Sequence, residues 1–266
     1  MFKILSRVIS LVIFVFIIFI GYKIFIKKEE IKPLSIINKT NKSKMQSFEI
    51  DKDILEIDIE LENTELMILE GEKIKIETNN QNINIKQKDN KLSVEEKHSN
   101  ALKLIKGNVL KLTVPKDYVF KEVEIEAGAG KVKIDYLLTE DLELDLGAGK
   151  VDIKNIVTYD NTQIDGGAGS LKIDNCTFKD LELKLGLGTL FFTGNLEGDS
   201  SIECGVGSSN IKLYGTKNDY ELDIDIGLGD FKVENQVIKK STIIGNGKRK
   251  IDINGSLGSI NIEFLD

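Results

Sequence analysis

Residues that usually carry out catalysis are scarce in this chain of 266 residues, which has one histidine, two cysteines, two prolines and no tryptophan. The histidine, His98, lies in a polar stretch, and no serine, cysteine or acid pair stands out as a nucleophile or an acid–base couple. We therefore expect a protein that is not an enzyme and uses no cofactor. Some repeat proteins hydrolyse polysaccharides with outward carboxylates, so a glycan-active enzyme using Asp145 or Asp165 is the lesser alternative.

Charge is distributed unevenly along the chain. Residues 1–47 carry nine Lys or Arg and two acids, so with a net charge of −7 for the whole chain, residues 48–266 carry −14. A body this acidic argues against nucleic acid as a partner, because the phosphate backbone would be repelled.

An apolar run at residues 8–26 has Lys23 as its only charge. As a helix it would measure ~28 Å, close to the thickness of the hydrocarbon core of a bilayer. It predicts one transmembrane anchor in the lipid bilayer, and residues 27–47 predict a polar, lysine-rich linker. A cleaved signal peptide is the alternative, but no small-x-small site follows the run. A count of Lys and Arg would place the following body in the cytoplasm, but long domains translocate largely regardless of charge, so we expect it outside.

A short pattern recurs seven times between residues 121 and 266: alternating apolar residues, a Gly-x-Gly turn, and alternating apolar residues again. Columns are numbered from the second turn glycine, which is Gly130, Gly149, Gly169, Gly188, Gly207, Gly229 or Gly258. The first four intervals between these glycines are nearly equal, and the last two are longer. Such a period is typical of repeat folds, in which each unit packs only against its neighbours.

The alternation predicts which columns face the interior, since residues two apart in a strand share a face. Three apolar columns are expected to do so. Column −5 holds Ile125, Leu144, Ile164, Leu183, Ile202, Ile224 and Ile253; column +4 holds Ile134, Ile153, Ile173, Phe192, Ile211, Val233 and Ile262; column −1 holds Ala129, Ala148, Ala168, Leu187, Val206, Leu228 and Leu257.

No single copy buries enough apolar surface to fold alone, so the copies must stack. We predict an all-β body, a parallel β-solenoid of ~20-residue repeats with degenerate rungs at 48–122 and regular rungs at 123–266. A meander of antiparallel hairpins is the rival. The last strand, 259–264, would leave an open edge that the basic loop or another protein covers.

The turn glycines themselves are interpreted as structural. No helix pattern follows them, so no helix N-terminus is available for a phosphate, and Val follows Gly130-Lys131 where a phosphate loop has Ser or Thr. The first glycine of each turn is Gly128, Gly147, Gly167, Gly186, Gly205 or Gly227, with Ser256 in the last copy.

Two surface features are candidates for binding. Outward acids in columns −6 and −4 suggest a weak divalent-cation ladder or a merely solvated face: Glu124, Glu143, Glu182, Asp223, Asp252, Glu126, Asp145, Asp165, Glu203 and Asp225. The long sixth interval suggests a basic loop that docks an envelope protein or an anionic wall polymer, or a plain surface loop: Lys239, Lys240, Lys248, Arg249 and Lys250.

The cysteines, Cys176 and Cys204, fall in different copies and different columns. A disulfide between them is possible but not implied, and we expect buried free thiols.

Residues 48–266 resemble the bacterial β-strand repeat family named putative adhesin, through the alternating strands, Val114-Pro115 before the first copy, and the Gly-Ala-Gly-Lys-Val series. The single anchor followed by this domain resembles its LiaG-type members. The resemblance implies a β-strand repeat fold, a place at the cell envelope and an association with envelope-stress loci. It brings no catalytic residues. We therefore expect a membrane-anchored, extracytoplasmic binding or scaffold module, with an accessory sensor of envelope stress as the alternative.

Overall fold

The computed structural model describes residues 44–50, 53–97 and 107–265. Contacts group Thr40–Asp266 into one compact unit. The described part of the chain has no helix that is long and apolar enough to cross a membrane. The predicted anchor at residues 8–26 lies outside the described residues, and so do most of the predicted linker and His98.

Strands make up nearly all of the described chain, because apolar and polar residues alternate along it and one face of each strand can be buried. A 3₁₀ turn at Lys217–Asp219 is the one helical element among the described residues, and short turns connect the strands. The strands are β1 (Gln46–Glu49), β2 (Glu56–Leu61), β3 (Glu65–Gly71), β4 (Lys75–Thr78), β5 (Ile83–Lys88), β6 (Lys91–Glu96), β7 (Val109–Pro115), β8 (Val119–Ile134), β9 (Leu137–Lys154), β10 (Ile156–Thr158), β11 (Thr162–Lys179), β12 (Leu181–Glu197), β13 (Asp199–Tyr214), β14 (Tyr220–Val233), β15 (Gln236–Ile238), β16 (Thr242–Gly245) and β17 (Arg249–Leu265).

The seven copies of the repeat form a ladder of parallel strands. Each of β8, β9, β11, β12, β13, β14 and β17 contains one copy, and equivalent residues lie opposite each other, as Gly130 does to Gly149 and Gly188 to Gly207. Within the described residues, antiparallel pairs occur only at the two ends of the ladder. The predicted all-β, solenoid-like stack is therefore confirmed, and the rival meander of hairpins is excluded.

Two of the three columns predicted to be interior are buried. Columns −5 and +4 are at most 5% exposed in every copy, and they form the centre of the core. The prediction that column −1 faces the interior was wrong, since its members lie on the outer surface. The alternation breaks within the turn: column −3 is the last inward column before it and column +2 is the first inward column after it, so the two glycines and the residue between them lie at the outer surface.

The order of strands at the carboxyl end differs from the order along the chain. β13 pairs with β17, and β17 pairs on its other side with β14. The sixth copy is thus the outermost rung, and the seventh returns to fill the place between the fifth and the sixth. This explains why the last two intervals of the repeat are the longest, because the chain passes over one rung and then comes back. The prediction that each copy packs only on its sequence neighbours was wrong here.

The exposed edge is consequently that of β14 and not that of the last strand. β16 pairs antiparallel with Glu221–Ile224 of β14, and β15 pairs with Phe231–Val233. The long sixth interval does cover an edge, as predicted, but it covers a different one. It leaves residues 225–230 of β14 without a strand partner on that side.

The amino-terminal end shows a similar exchange of order. β2 and β3 lie against β8, while β6 and β7, which come later in the chain, lie outside them. Here the Glu96 carboxylate holds the turn at residues 62–64, which connects β2 to β3. One oxygen of its carboxylate accepts hydrogen bonds from the backbone N–H groups of Glu62, Asn63 and Thr64 at 2.9, 3.0 and 3.2 Å. The other oxygen accepts one from Asn80 at 2.9 Å.

Asparagines form a second corner of the rung, which the sequence pattern did not predict. Asn155 and Asn175 have φ angles of 50° and 54°, in the left-handed region that asparagine tolerates better than most residues. The side-chain amide of Asn175 donates a hydrogen bond to the side-chain oxygen of Asn155 at 2.7 Å. The side-chain amide of Asn155 donates one to the backbone carbonyl of Asp135 at 3.0 Å. These bonds stack the corners of successive rungs.

Candidate binding surface

The outward bulges of the glycine turns align the column −1 side chains into one row across the ladder. In spatial order the row is Ala129, Ala148, Ala168, Leu187, Val206, Leu257 and Leu228. Its large members occupy four consecutive strands and are 50%, 38%, 50% and 76% exposed. At a strand spacing of about 4.8 Å they form an apolar line of about 14 Å. We call Leu187, Val206, Leu257 and Leu228 the aliphatic row.

The glycines on both sides of this row are imposed by the stacking of the rungs. A Cβ on Gly149 or Gly188 would lie 1.9 Å from the carbonyl oxygen of the preceding turn glycine, and on Gly229 it would lie 1.7 Å from that of Gly258. The second glycine of each turn also has a positive φ, between 138° and 156°. The aliphatic row is therefore bordered by bare backbone, except at Ser256, which precedes Leu257.

The next column beyond the glycines carries hydroxyl groups along most of the aliphatic row. Thr189, Ser208 and Ser259 lie there in register. At the alanine end the same column carries Lys131 and Lys150, beside a groove with a volume of only about 30 Å³. That is room for about one water, so this groove is too small for an enclosed small-molecule site. The arrangement can bind by surface contact, with apolar packing along the row and hydrogen bonds at its border.

The predicted acidic columns lie on the outer face, but they are interrupted. Gln163 and Ser201 break column −6, and Lys184 and Asn254 break column −4. Lys184 forms an ion pair with Glu182, and Gln163 donates a hydrogen bond to Asp165 at 3.0 Å. Among the described residues, no group of three or more His, Cys, Asp or Glu side chains could hold a metal ion. The pattern matches a solvated face.

The carboxylates are most crowded where β8 and β9 lie side by side. Partial burial raises the pKa of Glu143, and repulsion from Asp145 and Asp165 raises it further. Burial also raises the pKa of Glu124, with Asp58 and Glu143 adding to the effect. Because each folded-state pKa lies above its unfolded value, the native state keeps a proton that the unfolded chain has lost. Stability therefore falls as pH rises through that interval.

We expect Glu143→Gln to stabilise the protein at pH 7 by a few tenths of a kcal/mol, since it removes repulsion on an exposed face. The gain should vanish below about pH 4, where the carboxylates of both states are protonated. Urea unfolding at the two pH values measures the difference. Glu182→Gln is the control, because it removes the ion-pair partner of Lys184 and should give no gain. A gain of equal size at both pH values would contradict the electrostatic explanation.

The five residues of the predicted basic loop lie on both sides of β16 in the chain. Lys239 and Lys240 precede β16, whereas Lys248, Arg249 and Lys250 follow it. Arg249 turns inwards, where its guanidinium donates to the Asn195 side-chain oxygen at 2.8 Å and to the Tyr220 hydroxyl at 3.2 Å. Its guanidinium carbon also lies 5.3 Å from the centre of the Tyr220 ring. Arg249 therefore holds the outermost rung in place.

Both cysteines are free thiols. Cys176 is 1% exposed, and burial raises its pKa to about 12. Burial also raises the pKa of Cys204, and Ser209 donates a hydrogen bond to its sulfur at 3.0 Å. Thiols that stay protonated at neutral pH are poor nucleophiles.

Sequence reasoning missed the aliphatic row as a surface because it assigned every apolar column to the core. The signal that could have revealed it is the change within column −1, which holds alanine in the first three copies and leucine or valine in the last four.

Solved structures of bacterial proteins are similar to this chain. A comparison with curated protein sequences finds no significant match. The crystal structure of a "putative adhesin" from Bacteroides fragilis NCTC 9343 is 17% identical, covers 82% of this chain and 95% of its own, and gives a TM-score of 0.53. The crystal structure of a "putative cell adhesion protein" from Clostridium sporogenes ATCC 15579 is 16% identical, covers 84% of this chain and 99% of its own, and has a TM-score of 0.40.

The family comparison covers well over half of the chain. The model described as Toastrack DUF4097 matches residues 54–244, which include β2 to β15 and most of β16. The chain therefore belongs to the Toastrack family.

Proposed function

We propose that this protein is a non-enzymatic, adhesin-like binding module of the cell envelope, and that it holds its partner on the aliphatic row. The single observation that carries the proposal is the alignment of four large, exposed aliphatic side chains on consecutive strands of a rigid ladder. Most exposed apolar side chains occur singly, and a continuous line of them is typical of a contact surface. The name of the Bacteroides fragilis protein agrees with a role in binding.

An apolar segment of a partner protein suits this surface best. Bare glycine backbone along most of the row lets partner side chains pack down beside the aliphatic side chains, and the hydroxyls of Thr189, Ser208 and Ser259 border the row as hydrogen-bonding groups. A length of about 14 Å matches about two and a half turns of a helix. We propose that this partner is a protein of the envelope.

The position of the row supports presentation away from a tether. β1, where the chain enters the described body, pairs with β4, which lies beside β7. The aliphatic row is five to eight strand spacings from β7, about 24–38 Å. We propose that residues 8–26 anchor the protein in the cell membrane with its body outside, and that the ladder acts as a spacer. Protease treatment of intact cells tests the location, because a body outside the membrane is digested and a cytoplasmic body is protected.

A photo-crosslinking amino acid placed at Leu257 in intact cells tests the surface itself, with the same group at Ala129 as the matched control. We expect discrete adducts with an envelope protein from position 257 and none from 129. The identified partner, once purified, should bind the full chain carrying Leu187→Ser and Leu257→Ser at least about ten-fold more weakly. Ala129→Ser with Ala148→Ser should leave binding unchanged. Equal adducts from both positions, or full binding by the leucine variant, would overturn the proposal.

A further inference from the structure

The outermost part of the ladder has a composition unlike the rest of the body. Residues 235–248, which include β15 and β16 and which we call the cap segment, carry Lys239, Lys240 and Lys248 and no acid. The surrounding body, residues 48–266, has a net charge of −14. The acids nearest in the ladder, Glu221, Asp223, Asp225 and Asp230, belong to β14, one strand further in, and Glu234 directly precedes the cap segment.

This same end carries the three most exposed large apolar side chains of the described residues. Leu228, Ile243 and Val237 are 76%, 62% and 56% exposed. Ile243 and Val237 lie opposite Asp223 and Lys232 of β14, in columns that face outwards. In both strands of the cap segment the neighbouring apolar residue, Ile238 or Ile244, packs against the core instead. The exposed aliphatics are thus extra to those that the fold needs.

The path of the chain places lysines among these side chains. Residues 239–241 alone join β15 to β16, whereas β14 uses the longer stretch 225–230 to cover the same interval. The connection therefore cuts across the bend of the Gly-x-Gly turn, and Leu228 protrudes beyond it. The Ser241 hydroxyl fixes this path by donating to the Asp225 carboxylate at 2.8 Å. Lys239 and Lys240 lie between Val237 and Ile243 along this path.

We propose that the cap segment, at the end of the ladder away from the proposed tether, docks on the anionic lipid surface of a second membrane. Aliphatic side chains enter the boundary between headgroups and acyl chains, and lysines add binding free energy by attraction to anionic headgroups. Lysine is depleted from protein–protein interfaces, so a lipid surface fits this composition better than a protein partner. The site is separate from the middle of the aliphatic row, and it can be tested with variants that leave Leu187 and Leu257 intact.

The full chain is first reconstituted in vesicles of pure phosphatidylcholine. These are mixed with protein-free fluorescent vesicles, which are either rich in phosphatidylglycerol or made of phosphatidylcholine alone. Capture of the fluorescent vesicles is measured by flotation. We expect capture of the anionic vesicles only. Lys239→Glu with Lys240→Glu should lower it at least about ten-fold, and Val237→Ser with Ile243→Ser should lower it about ten-fold. Lys131→Glu with Lys150→Glu, at the far end of the same face, is the matched control and should keep capture.

Equal capture of neutral and anionic vesicles, no capture at all, or capture unchanged in both cap variants would overturn the proposal. Clustering of protein-bearing phosphatidylcholine vesicles without any anionic lipid would also overturn it, since this would show pairing between the open edges of two copies. All substituted side chains are exposed, so each variant is expected to unfold at the temperature of the unmodified protein, and thermal unfolding checks this.

Discussion

Truncation after Gly247 is expected to abolish folding, although it removes only residues 248–266, which form a single strand of the ladder. In a ladder that follows the sequence, such a loss would merely shorten one end. Here it removes β17 from between β13 and β14 and takes away four buried aliphatics, Ile251, Ile253, Ile260 and Ile262. Their burial contributes about 6–12 kcal/mol, which is as large as the whole stability of a typical domain. Thermal unfolding followed by far-ultraviolet circular dichroism should show no cooperative transition.

A larger internal deletion provides the control. Removal of residues 216–247 joins Gly215 directly to Lys248 and brings Gly258 as close to Gly207 along the chain as Gly207 is to Gly188. That is the period of the regular rungs, so β17 can follow β13 as an ordinary next rung. We expect this variant to keep a cooperative transition at a lower temperature, with an uncovered edge on β17. The interpretation fails if the two variants behave alike, whether both fold or both do not.

Gly188→Ala is expected to destabilise the protein by at least about 4 kcal/mol, an exceptional size for a single substitution. The added Cβ would lie 1.9 Å from the Gly169 carbonyl oxygen and 2.8 Å from the Gly169 carbonyl carbon. Both atoms belong to backbone that is fixed by strand pairing on each side, so neighbouring rungs would have to separate. The midpoint of thermal unfolding should fall by about 8–16 °C in a domain of this size.

Gly130→Ala separates this clash from backbone strain. Gly130 has the same type of backbone, with a φ of 149°, but a Cβ there would meet nothing within 4 Å. Strain alone should cost about 1–3 kcal/mol. If the two substitutions lower the midpoint equally, crowding between stacked turns is not the reason for the glycines.

The repeat and its core could be predicted from the sequence because they follow from local alternation. Columns −5 and +4 are buried in every copy for the reason given by the sequence: residues two apart share a face. The parallel stacking also followed, since residues of the same kind recur in the same column. These features depend on the chain's period and not on which rung lies beside which.

The order of the rungs could not be predicted, because β14 and β17 carry the same pattern and the pattern alone does not decide which of them pairs with β13. Only the greater length of the last two intervals hinted at the exchange. The exposure of column −1 was missed for a different reason. Hydrophobicity predicted burial for Leu228 and Leu257, but the backbone bend at the turn directs the residue before its second glycine outwards. The positive charge of Arg249 predicted a surface contact with a partner. Its guanidinium instead lies against the buried Tyr220 ring, a contact that a charge pattern does not reveal.

The position of β17 also affects how the protein is made. A chain still emerging during synthesis has β13 and β14 complete but lacks the strand that belongs between them, so the two strand edges that β17 covers stay open until residues 249–265 appear. A chain that is released early or clipped near its end keeps those edges exposed, which makes incomplete copies distinguishable to proteases and chaperones.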